Sequence, residues 1–169
     1  YDAVEPRLLI GWYTMLGEEK AKQLIQCVGE NKPILQTGHS ERAAAMQAGD
    51  HPISGDILTY AVERFAHEQP QRNVLKIAYD AAIMADAFGA AASRYAPHPY
   101  AAALYVDFTI GPESQTYMQQ RFRDPIAVKH PYMPDDTKLV TFGPIDGKIV
   151  DRLVGYWQAY VTKADARGK

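Results

Sequence analysis

One cysteine, Cys27, stands in a chain of 169 residues. An internal disulfide and a cysteine-cluster metal site are therefore excluded. No apolar run approaches the ~20 uncharged residues of a membrane span. Charge of one sign is also missing: the net charge is −2, which gives no electrostatic case for nucleic acid. No Gly-x-Gly-x-x-Gly and no phosphate-binding P-loop pattern occurs, so nucleotide binding has no support. The five histidines, His39, His51, His67, His98 and His130, show no metal-pair spacing on a helix and no His-Glu-x-x-His. A Ser40/His/Asp hydrolase lacks the Gly-x-Ser-x-Gly elbow that such chemistry uses to expose its nucleophile. Internal repeats and low-complexity stretches are absent. The first residues, Tyr1-Asp2-Ala3-Val4-Glu5, read neither as a signal peptide nor as an initiator sequence, so the expectation is a processed or cut chain.

What is present is helix punctuation. Pro6 opens a helix to Leu16 with Leu9, Trp12, Tyr13 and Leu16 on one face, and Gly17 breaks it. Glu18-Glu19 open a second helix that faces Ala21, Leu24, Ile25 and Val28 inward. Ile34 to Gln36, Pro52 to Asp56, Asn73 to Tyr79 and Lys138 to Phe142 read as short strands. Helices are expected over Glu41–Ala48, with Ser40 as N-cap, and over Ile57–Glu68, with Leu58, Val62 and Phe65 aligned. Ile83 to Ala92 stays open between helix and strand. Asp124 to Thr137 is a Pro-rich excursion, and Pro144 to Thr162 is a long helix with Ile145, Ile149, Leu153, Trp157, Tyr160 and Val161 as its stripe. Short strands alternating with helices predict an α/β sheet with helices on its faces.

Two turns stand out as candidate binding residues. Gly38 lets the backbone approach a ligand, and His39 and Ser40 sit where a helix start presents free N–H groups to an anion. The alternative is that Ser40 only caps a helix. Asp56 with Thr59-Tyr60 forms the second candidate, with Tyr60 able to hydrogen-bond or stack on an organic ligand; packing on the helix surface is its simpler role.

Ala96-Pro97-His98-Pro99-Tyr100-Ala101-Ala102 leads into Val106-Asp107-Phe108 and then Gly111-Pro112-Glu113-Ser114-Gln115. The prolines fix an extended approach and a helix start. Ala101, Leu104, Tyr105 and Phe108 lie on one helix face, and Gly111-Pro112 turns the chain into a second helix. This order of residues resembles the APHPNAA…FIDFLLSPEGQ signature of bacterial extracellular solute-binding proteins, family 1, close to the ferric-type receptors of ABC importers. Three further pieces precede it: Trp12 with Leu16-Gly17-Glu18-Glu19-Lys20-Ala21, the Gly38-His39-Ser40 turn, and the Ala48-Gly49-Asp50 turn.

The resemblance implies a type 2 periplasmic-binding fold of two α/β lobes, here incomplete. Residues 1–80 would be a second-lobe segment, 81–96 a return crossover with a strand at Ile83, and 97–169 the helical C-terminal part of the first lobe. It implies a non-enzymatic substrate-binding component without a cofactor. Such a component captures a small molecule or metal complex and delivers it to an inner-membrane ABC permease. Its location would be the periplasm, or a lipid-anchored extracellular site in a Gram-positive. Gly38, His39, Ser40, Asp56, Thr59 and Tyr60 would line the cleft. Thr59 stands where ferric-type members carry the first of two adjacent tyrosines, so their phenolate ligand pair is incomplete here. A truncated chain is expected to bind weakly and to dimerise over exposed apolar surface. The competing readings are a ligand-sensing effector domain of a regulator with the same fold, and an α/β hydrolase.

Overall fold

The computed structural model describes residues 6–36, 38–79, 82–85, 89–123, 133–141 and 143–162. Among them are α1 (Pro6–Leu16), α2 (Glu18–Glu30), α3 (His39–Ala48), α4 (Thr59–Glu68), β1 (Ile83–Ala85), α5 (Pro99–Ile110), α6 (Pro112–Gln120), β2 (Leu139–Thr141) and α7 (Gly147–Trp157). A π-helical turn, Gln158–Thr162, extends α7. Gly17 parts α1 from α2 at φ 77°, a conformation glycine takes without a Cβ clash. Pro99 and Pro112 open α5 and α6, where a missing N–H costs nothing. Asp146 caps α7 by accepting the Lys148 N–H at 2.9 Å.

The chain divides into two units. The first gathers the described residues of Tyr1–Thr37, Ala82–Asp86 and Lys138–Lys169. Its core is Leu9, Ala21, Ile25, Leu153, Trp157 and Val161, flanked by Trp12, Tyr13, Val28, Ile149 and Tyr160. The faces expected on α1, α2 and α7 supply nearly all of these side chains. Gly29 lies against the backbone of the π-helical turn: a Cβ there would meet the Tyr160 carbonyl, with the carbonyl carbon at 2.7 Å. The strands β1 and β2 pair in parallel, Ile83 beside Leu139 and Ala85 beside Thr141. At the start of α2, Glu18 accepts from Arg152 Nε and Nη2, both at 2.8 Å, in a two-pronged pair.

The second unit gathers the described residues of Gly38–Ala81 and Ala87–Thr137. Ala43, Ala61, Val62 and Leu75 form its core, with Met46, Ile57, Tyr60, Phe65 and Ile77 packed around them. The hairpin α5–α6 turns at Gly111, and the buried Gln115 secures it by donating to the Thr109 carbonyl at 2.8 Å.

The expected α/β, type 2 periplasmic-binding fold is not found. The described chain is mostly helical, with only the two three-residue strands. Ile34–Gln36, Pro52–Asp56 and Asn73–Tyr79 are not strands. Apolar residues in each of them stay in solvent, Ile34 at 64%, Ile53 at 82% and Val74 at 67% exposed, although Leu75 is buried. A parallel sheet needs such residues covered on both faces. Around Val74, side-chain amides stand in for a neighbouring strand. Asn73 accepts the Leu75 N–H and donates to the Leu75 carbonyl, each at 3.2 Å. Gln47 accepts the Val74 N–H at 3.2 Å and donates to the Arg72 carbonyl. Backbone groups satisfied in this way have no need of a β-ladder. Residues 124–132 of the Pro-rich excursion, together with residues 1–5, Thr37, 80–81, 86–88, Phe142 and 163–169, lie outside the described residues.

Two outcomes test this packing. Gly29→Ala forces its methyl group against backbone and is expected to destabilise the chain by about 1–3 kcal/mol. Gly11→Ala meets only the flexible Met84 side chain and is expected to cost less. Urea unfolding of both variants decides the order. The Arg152 hydrogen bond holds the Glu18 carboxyl below its ordinary value of 4.5. The fold therefore favours the charged form, and this stabilisation is present at neutral pH and lost as pH falls through the lowered value. The gap in urea midpoint between the native chain and Glu18→Gln is expected to be open at pH 7 and to close below pH 4.5.

Candidate functional site

Helix α3 starts two residues earlier than Ser40 as N-cap suggests. Gly38 occupies the N-cap position at φ 86°, His39 opens the helix, and no side-chain oxygen caps it. Ser40 thus sits inside the first turn and does not act as the cap. Helix α4 starts in the same uncapped manner, with Leu58 at the N-cap position and no acidic residue in its first turn. Leucine has no oxygen to offer the first N–H groups of a helix.

These two helix starts meet. The Leu58 N–H donates to His39 Nδ1 at 3.4 Å, so the first residue of α3 lies on the N-cap of α4. One turn along α3, Arg42 donates to the Asp56 carboxylate at 2.9 Å and to the Asp56 carbonyl. Its Nε is buried and has no hydrogen-bond partner among the described residues. Ser54 Oγ reaches the Asp56 carbonyl at 3.5 Å. The Glu41 carboxylate folds back over Gly38, which places a negative charge at the positive end of α3.

A second cation arrives from far along the sequence. The Arg123 guanidinium lies 3.7 Å from the centre of the Tyr60 ring, in the first turn of α4. It is delivered by the end of α6, where the Arg123 N–H reaches back to the Met118 carbonyl at 3.0 Å. That bond closes around Phe122, which is buried at φ 59°, a position usually held by glycine. Its ring packs on His67 of α4 at 5.2 Å between centres.

Of the residues singled out from sequence, Gly38, His39 and Ser40 begin α3, and Thr59 and Tyr60 begin α4. Both groups belong to the second unit and meet through His39 and Leu58. Asp56 is engaged by Arg42 and is not an open carboxylate. Sequence reasoning missed Arg42 and Arg123. Arg42 stands three residues after His39, on the same helix face, which is a usable signal. Arg123 carries no local signal, since its place depends on the turn at Phe122. Among the described residues, no group of three or more His, Cys, Asp or Glu side chains could hold a metal ion. No described helix is long and apolar enough to cross a membrane.

The arrangement offers two uncapped helix starts, two guanidinium groups, a phenol and a hydroxyl. Together they favour negative charge. The internal carboxylates Glu41 and Asp56 occupy the places an outside anion would take. No family model, curated protein or solved structure matches the chain.

The turn at Phe122 is testable by itself. Phe122→Ala loses the ring against His67 and keeps the left-handed backbone, whereas Phe122→Gly loses the ring and relieves that backbone. Phe122→Gly is expected to be the more stable of the two by about 1 kcal/mol, contrary to the usual order of these residues. Chemical unfolding of the two variants provides the measurement.

Proposed function

We propose that the chain is a solute-binding component of a bacterial ABC importer, not an enzyme, and that its cargo is a small organic or inorganic anion. The observation that carries the anion is the meeting of the α3 and α4 starts through His39 and Leu58, with Arg42 and Arg123 beside them. The importer role rests on the Pro-His-Pro signature and the three motifs before it. Delivery to an inner-membrane permease, and a periplasmic or lipid-anchored extracellular location, follow from that role.

Capture works by exchange. An incoming phosphate, sulfonate or carboxylate replaces the internal carboxylates at the helix starts, so no unpaired cation has to be buried before the ligand arrives. Tyr60, its ring covered by Arg123, supplies its phenolic group to the organic part of a ligand. The missing tyrosine at Thr59 speaks against iron held as a phenolate pair.

A thermal-shift screen against phosphate, sulfate, an alkyl sulfonate, citrate, spermidine and Fe³⁺ tests this reading. At least one anion is expected to raise the midpoint through mass action on the folded state, and the cations are not. Arg123→Gln is expected to shrink that shift, and Glu41→Gln, which removes the internal competitor, to enlarge it. A midpoint unmoved by every anion, or moved equally in both variants, overturns the reading.

A further inference from the structure

The first residue of α3 sets a condition on the site. His39 Nδ1 accepts the Leu58 N–H at 3.4 Å, so that nitrogen carries no proton and the imidazole is neutral. The ring is half-buried. Imidazole is the side chain whose ordinary change of charge falls between about pH 5 and pH 8. A proton on Nδ1 turns the acceptor into a donor. Two N–H groups, one of them charged, then point at one another, and the start of α4 loses this acceptor. An oxyanion set between the two restores both bonds.

From this geometry we infer that the site takes up its anion together with one proton, which goes to His39 Nδ1. The inference rests on the anion reading above and adds the condition under which that site opens. In the neutral state His39 answers the Leu58 N–H from within, as Glu41 answers the start of α3 and Asp56 answers Arg42. In the protonated state, His39 Nδ1–H and the Leu58 N–H are converging donors for one oxyanion, and the imidazolium adds a full charge. Arg42 stands one turn along the same face of α3. Its Nε is a buried donor that no described residue uses, which leaves a third bond to offer.

The charges around His39 oppose one another. Arg42, and the positive ends of α3 and α4, disfavour a proton on the ring. Arg123, over Tyr60 of α4, adds a further cation. The Glu41 carboxylate, folded over Gly38, and Asp56, in the loop before α4, favour the proton. An arriving anion tips this balance toward the protonated form. Binding and protonation are then linked, and each strengthens the other by the same factor. The histidine closes the site at high pH and opens it as pH falls.

Calorimetric titration of the full chain with sulfate and with an alkyl sulfonate tests this. Both probes hold their charge between about pH 8 and pH 5, so only the protein titrates. At least one of them is expected to bind at least about fivefold more tightly at the lower pH. His39→Gln keeps an amide oxygen to accept the Leu58 N–H but takes up no proton, and it is expected to lose this step. His51→Gln is expected to keep it. In NMR spectra the His39 ring, assigned by its absence from His39→Gln, is expected to titrate at higher pH with the anion bound than without. Circular dichroism verifies the fold of each variant. An affinity independent of pH in the native chain, or a step that His39→Gln retains, overturns the inference and leaves the anion reading standing. Binding of neither probe at either pH overturns both.

Discussion

The close approach of α2 to the π-helical turn, backbone to backbone at Gly29 and Tyr160, is the constraint on which the first unit depends. Any side chain at position 29 would hold the two elements apart. At contact distance, Ile25 can reach Leu153, Trp157 and Val161, which form one buried cluster with Leu9 and Ala21. The widened π turn fits this picture. One extra residue per turn shifts Tyr160 and Val161 relative to the stripe that Ile149, Leu153 and Trp157 set along α7. Val161 is thereby buried and the Tyr160 carbonyl comes to face Gly29. The Glu18–Arg152 pair lies at the opposite end of α2 and is part-exposed. It selects the pairing of α2 with α7 more than it strengthens it, since exposed pairs contribute little.

The second unit meets a different difficulty. Its core of Ala43, Ala61, Val62 and Leu75 is made of small side chains, so burial alone holds it less firmly. Polar side chains carry the connections between elements. Gln47 and Asn73 satisfy the backbone around Val74, Arg42 holds Asp56, and Tyr79 donates to Glu63 at 2.9 Å. Each of these bonds spans a loop that the sequence pattern alone reads as a strand or a turn. The strained backbone at Phe122 belongs to the same economy: a bulky residue accepts a left-handed conformation because its ring finds His67 and its neighbour Arg123 finds Tyr60.

Legibility follows these differences. The helices α1, α2 and α7 were readable from periodicity because each has one apolar stripe and a sharp proline, glycine or acidic boundary. The segments at Ile34, Ile53 and Asn73 were misread because a short apolar run does not reveal whether its backbone partners are a strand or an amide side chain. Helix α5 is legible from its prolines, but which of its faces is covered is not. Apart from Asp107 it is largely apolar around its circumference, so spacing cannot say that Ala102, Val106 and Thr109 are half-buried while Leu104 and Phe108 are exposed. The two candidate turns were each visible as Gly38-His39-Ser40 and Asp56 to Tyr60. That they meet, and that Arg123 joins them, depends on contacts across tens of residues that no local pattern encodes.

The two surfaces of the second unit then differ in kind. At the starts of α3 and α4, charge is present and answered from within by Glu41 and Asp56. Along α5 the surface is apolar and nothing described in the unit answers it, so solvent contact there carries a standing cost that only another surface can remove. An internally balanced polar site can wait for a ligand of changing concentration. An uncovered aromatic face cannot wait at the same free energy, because its desolvation is favourable whenever a partner is available.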